Sequence, residues 1–147
     1  IRSLNKDTQI VFTVSPVRHL KDGFVENQRS KAHLLTALHS VIEDSNFGKH
    51  ISYFESYEIV MDELRDYRFY DTDMVHPNKL AVAYIWEKFT SVWIAAKART
   101  TMQKVEEIQR GLQHKPFNFE SEMHQKFVKS LEEKITYLQK EYSFMKF

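Results

Sequence analysis

The chain has 147 residues, a net charge of +1, 42% hydrophobic and 14% aromatic residues, so it can bury a core and is too apolar to be disordered. The balanced charge gives no electrostatic case for binding nucleic acid, and no apolar run approaches the ~20 residues that a membrane-spanning helix needs. Zero cysteines exclude disulfides, thiol nucleophiles and thiolate metal sites, and three scattered glycines exclude a P-loop or a dinucleotide-binding turn. No Met-initiated signal peptide stands in the sequence and the upstream region is not visible, so the compartment is undetermined, with the cytoplasm the default expectation.

Residues 9–17 (QIVFTVSPV) are apolar at nearly every position and rich in β-branched side chains, which predicts a strand buried on both faces and ended by Pro16. The polar stretch Arg18 to Asp22 then turns at Gly23. Residues 30–44 predict a helix with Ser30 as N-cap, an apolar face of Leu34, Leu35, Leu38, Val41 and Ile42, and a stop at Ser45-Asn46-Phe47-Gly48. A second buried strand is expected at 51–54, closing a βαβ unit and implying a parallel sheet of the α/β class.

A short helix is expected over 57–67, with Ile59, Val60 and Leu64 inward, followed by a loop over 68–78. Pro77 is placed to open one long helix from 78 to about 110. Gly111 to Asn118, with Pro116, breaks it, and a last helix spans about 120–144. Phe127, Leu131, Ile135, Leu138, Tyr142 and Met145 repeat at spacings of 4, 4, 3, 4 and 3, a coiled-coil-like seam that predicts an αα-hairpin. Charge divides unevenly at Ala96: 11 basic and 13 acidic residues precede the cut, giving −2, and 10 basic and 7 acidic follow it, giving +3. Two domains are therefore expected, an α/β part over 1–96 and a helical extension over 97–147. Two strands make a poor sheet alone, so 1–96 reads as the C-terminal part of a larger α/β domain.

Polar chemistry concentrates in two places. The first is the segment from Asp62 to His76, where Asp62, Glu63 and Arg65 suit a solvated helix face as well as a site. Within it, Asp73-Met74-Val75-His76 places a carboxylate three residues before an imidazole, so that Asp73 can take the Nδ1 proton while Nε2 faces outward as a general base. Spacing alone favours the plainer reading, a capping carboxylate beside a helix-start histidine. The second place, Arg18, His19, Asp22 and Asn27, follows the first strand, where ligands bind in open α/β sheets. Lys31, one turn into the helix, is expected to be solvated. His33 and His39 do not share a helix face, so no metal clip is expected. None of the eleven serines lies in a nucleophile-elbow context.

The strings Thr13-Val14-Ser15-Pro16-Val17-Arg18-His19, Asp22-Gly23, Glu26-Asn27, Ser30-Lys31-Ala32, Ser56-Tyr57-Glu58-Ile59, Asp62 to Tyr70 and Asp73-Met74-Val75-His76-Pro77 resemble the GSCFA family over about residues 9–90. Lys115-Pro116 and His124-Gln125-Lys126-Phe127 look like that family's tail. The family is considered similar to the SGNH hydrolases. The resemblance implies a flavodoxin-like three-layer α/β/α fold and ester or acyl hydrolysis, with His76 as base and Asp73 as its orienting carboxylate. Arg18, His19 and Asn27 would then line or support the substrate site. The Gly-Ser-Cys-Phe-Ala motif that names the family is absent, so the expected nucleophile is missing and the isolated chain is expected not to hydrolyse esters by a serine route. A small acylated substrate is expected, with no cofactor, no metal and no nucleic acid. An acyltransferase, or a non-catalytic module that self-associates through the hairpin seam, are the alternatives.

Overall fold

Two short parallel strands organise the first part of the chain. A computed structural model describes residues 1, 3–44 and 48–147, which divide into two units, Ile1–Ser91 and Val92–Phe147. In the first unit, β1 (Ile10–Thr13) pairs with β2 (Ile51–Phe54) in parallel, with Ile10 opposite Ile51 and Thr13 opposite Phe54. Helix α1 (Phe24–Glu43) is the crossover, as the βαβ reading requires. Among the described residues the class is mixed α/β, with this two-stranded sheet as its β component.

β1 is shorter than its apolar run, for a local reason. Beyond Thr13 the backbone carbonyls leave the ladder: that of Val14 accepts from the Ser56 hydroxyl (2.9 Å) and that of Ser15 from the Lys31 ammonium (2.6 Å). Nor is β1 buried on both faces as expected. Phe12 stays 42% exposed.

α1 begins at Phe24, a turn and a half before the expected cap. Gly23 adopts φ 93°, a left-handed conformation that glycine tolerates best, and its carbonyl accepts the first helical bond from the Asn27 amide (3.0 Å). Ser30 is therefore an interior residue. The inward stripe is Lys31, Leu35, Leu38 and Ile42, while Leu34 and Val41 of the expected face are exposed. Three residues of the expected stop, Ser45, Asn46 and Phe47, lie outside the described residues.

The expected helix over 57–67 is replaced by one α-turn, α2 (Ser56–Glu58), running into a π-helix, Ile59–Leu64. The wider winding is closed by the Arg65 amide donating to the Val60 carbonyl (3.0 Å), with Arg65 itself at φ 43°. Ile59 and Val60 are buried as expected and join Val14, Ile51, Phe54, Tyr57, Tyr70 and Ala81 in the core of this unit.

The long helix expected from 78 is two helices, α3 (Lys79–Trp93) and α4 (Ala96–Gln113), with extended backbone at Ala95. No proline or glycine marks the break. The Thr90 and Ser91 hydroxyls donate to the Glu87 and Lys88 carbonyls, competing with the helical ladder just where it ends. Pro77 precedes the helix rather than opening its first turn. Asn78 is the cap, its Oδ1 accepting from the Ala81 amide (3.1 Å).

The second unit is the expected αα-hairpin of α4 and α5 (Glu122–Glu141). Its cross-contacts run antiparallel: the Thr101 and Tyr142 hydroxyls lie 3.2 Å apart, Lys104 faces the Tyr137 ring, and Lys134 pairs with Glu107 at 2.5 Å. Ile108 and Leu138 are each 1% exposed. α4 covers part of the seam from within the chain, at Leu138, while Phe127 stays 39% exposed. Gly111 does not break the helix. It lies inside α4, where an added Cβ would come within 2.7 Å of a Leu131 methyl, so the glycine permits close packing of the two helices. No helix among the described residues is long and apolar enough to cross a membrane.

Candidate active site

The loop that carries Asp73 and His76 is closed at its base. Tyr70 and Pro77 form an antiparallel bridge, the Asp71 amide donates to the His76 carbonyl (2.7 Å), and Asn78 ties the following helix to the Arg68 and Tyr70 carbonyls through its Nδ2. Met74, at φ 59°, supplies the sharp reversal between the two polar residues.

Inside this loop Asp73 uses both oxygens. Oδ1 accepts from the backbone amides of Val75 (2.9 Å) and His76 (3.0 Å), and Oδ2 lies 2.7 Å from His76 Nδ1. The bonds from the His76 amide and imidazole and from the Val75 amide hold the Asp73 carboxyl down at about 2. An ionised acceptor at Nδ1 fixes the tautomer that leaves Nε2 unprotonated in the neutral ring. The spacing argument and the structure agree on this geometry. The histidine is 61% exposed at its side chain, so the ring remains open to solvent and to an incoming group.

His76 also lines an apolar cleft of about 500 Å³. Thr13 and Phe54, the last residues of the two strands, line it together with Pro16, Val17, Trp86 and Phe89. Phe89 meets Phe54 edge-on at 5.1 Å and stacks with Trp86 at 5.7 Å. The cleft therefore sits at the carboxyl ends of parallel strands, where α/β sheets bind ligands. Ser56 reaches the same cleft, but its hydroxyl is committed to the Val14 carbonyl.

The two polar clusters read from the sequence meet here. The Arg18 amide donates to the Val75 carbonyl (3.1 Å), and the Arg18 guanidinium lies over the rings of Tyr70 (4.3 Å) and Tyr67 (5.1 Å). Asn27 accepts from the His19 amide through Oδ1 (2.8 Å), which folds the β1–α1 loop back onto α1. His19 itself is exposed. Glu63 accepts from Tyr84 and from Lys88 (3.0 Å), and Asp66 from the Arg68 amide (2.8 Å) and guanidinium (3.0 Å), so these two carboxylates are held below their usual range by structural partners.

Lys31 corrects the sequence reading most plainly. Expected in solvent, it is 3% exposed. Lys31 lies four residues before Leu35 on the inward stripe of α1, but that spacing does not show that the Ser15 carbonyl and Tyr57 enclose it.

The GSCFA family model matches residues 1–89, and the model for the GSCFA domain protein, C-terminal domain, matches residues 105–147. The chain belongs to the GSCFA family. No curated protein and no solved structure matches it. In this GSCFA member the family match takes in Arg18, Asn27, Lys31, Asp73 and His76 together, and the C-terminal match covers most of the hairpin. The residues between the two matches, 90–104, include the break between α3 and α4.

Proposed function

We propose that this GSCFA chain provides the acid–base half of a serine-type ester or acyl hydrolase of the SGNH kind, within a flavodoxin-like α/β/α domain whose C-terminal part is residues 1–96. Residues 97–147 form its helical extension. The single observation that carries the reading is the Asp73–His76 pair, hydrogen-bonded at 2.7 Å on the lip of an apolar cleft at the strand ends. His76 Nε2 takes the proton of a serine hydroxyl as that oxygen attacks the acyl carbon, then returns it to the leaving alcohol. A water deprotonated by the same nitrogen attacks the acyl-serine, and that proton passes to the departing serine oxygen as the acid is released. Asp73 stabilises the imidazolium in both halves. The nucleophile comes from a segment outside these residues, and Arg18, His19 and Asn27 line or support the substrate site.

Two experiments test this. A fluorophosphonate probe should leave the 147-residue chain unlabelled, while the protein with its serine-bearing segment should label. In the latter, His76→Ala should lower p-nitrophenyl ester turnover by about 10⁶-fold. Undiminished turnover would exclude His76 as the base.

A further inference from the structure

A second cavity, of about 300 Å³, opens between the β1–α1 loop and α1, lined among others by Arg18, Asn27, Gln28, Lys31, Tyr57 and Tyr67. Among the described residues the Lys31 ammonium has one hydrogen-bond partner, the Ser15 carbonyl at 2.6 Å, and it lies 5.9 Å from the centre of the Tyr57 ring. Among the described residues, no carboxylate lies within ion-pair distance of Lys31 or of Arg18. A buried ammonium without a counter-charge is unfavourable, and burial pulls the Lys31 pKa down. A tether to one carbonyl would be met by a neutral donor at far smaller desolvation penalty.

The neighbouring amides are oriented in the same sense. Asn27 Oδ1 is taken by the His19 amide and Gln28 Oε1 by the Tyr57 hydroxyl (3.1 Å), so both side chains have their NH₂ groups left to donate. The polar groups around the cavity therefore include two cations without a carboxylate counter-charge, of which Arg18 rests against Tyr67 and Tyr70, and two amide donors. Such a lining is complementary to an oxyanion.

We propose that this cavity is an anion subsite, in which Lys31 and Arg18 receive a carboxylate or phosphate group carried by a small ligand. The site does not depend on the role given to His76. The bond from the Arg18 amide to the Val75 carbonyl places it beside the His76 loop, so a ligand held here by its anionic end extends toward that loop.

The test is an NMR titration of the isotopically labelled chain at constant ionic strength, with inorganic phosphate in one arm and acetate in the other. Saturable shifts at Lys31 Cε, Arg18 Nε and the Gln28 side-chain amide are expected in at least one arm, and the tighter arm identifies the group. Lys31→Met and Arg18→Gln should each weaken that binding at least tenfold. Shifts that rise linearly, that spread equally over exposed lysines, or that persist in both variants would overturn the proposal. If Lys31→Met does not fold, the residue-resolved map of the unmodified chain and the Arg18→Gln variant still decide it.

Discussion

Asp73 serves two masters with two oxygens, and that division sets what its replacement does. The carboxyl, held at about 2, stays ionised through the neutral range. Because its folded value lies below the ordinary 3.8, its contribution to loop order is fully present above about pH 4 and is lost as pH falls through about 2. A ¹³C titration of the Asp73 carboxyl should show that midpoint, and an ordinary midpoint near 4 would contradict the three bonds. Asp73→Asn keeps an oxygen for the Val75 and His76 amides but turns an NH₂ toward Nδ1. The imidazole proton should then move to Nε2, visible in its ¹⁵N shifts. In the protein with its serine, turnover should fall by about 10⁴-fold while the fold persists. At this scale the sequence was legible: a carboxylate three residues before a histidine can reach both the ring and its backbone without help from the rest of the molecule. Lys31 was not legible, since its burial depends on where α1 begins.

Caps and close approaches decide the elements. Asn78 caps α3 and binds two carbonyls of the preceding loop, so Asn78→Ala should lower stability by about 2 kcal/mol, read from a urea midpoint. Ser121 caps α5 by accepting the His124 amide at 3.2 Å, and its removal should cost about 1 kcal/mol. In the hairpin, Leu138→Ala empties a fully enclosed position and should cost about 2–5 kcal/mol. Gly111→Leu should cost about 1–3 kcal/mol, because the larger side chain drives into Leu131 and Phe127. A gain in stability would show that Gly111 marks no close approach. The hairpin seam was readable from spacing alone, whereas the break between α3 and α4 was not. It rests on hydroxyl-to-carbonyl bonds, and serine and threonine make those in intact helices too.

For the whole molecule, the near-balance of charge matters more than any one pair. The isoelectric point near 8.1 leaves little net repulsion at that pH, and Phe12, Val82 and Trp86 are exposed on the first unit. Light scattering should therefore report most self-association near pH 8 and less as the pH moves away from it and net charge builds. An association that ignores pH would point to a specific interface instead.

The bounds of β2 and the Asp73–His76 geometry follow from the sequence by itself, because each depends on spacings within one element or one loop, and the parallel βαβ order and the hairpin follow from short connections between periodic segments. Tertiary structure alone decided that Arg18 meets Val75, that Lys31 is enclosed beside Tyr57, and that Gly111 admits Leu131. Those contacts join residues distant in the chain, and no local period records which distant side chain will arrive. The π-helix at Ile59–Leu64 belongs with them: its wider winding leaves Arg65 in a left-handed conformation, which nothing in the identity of that residue announces.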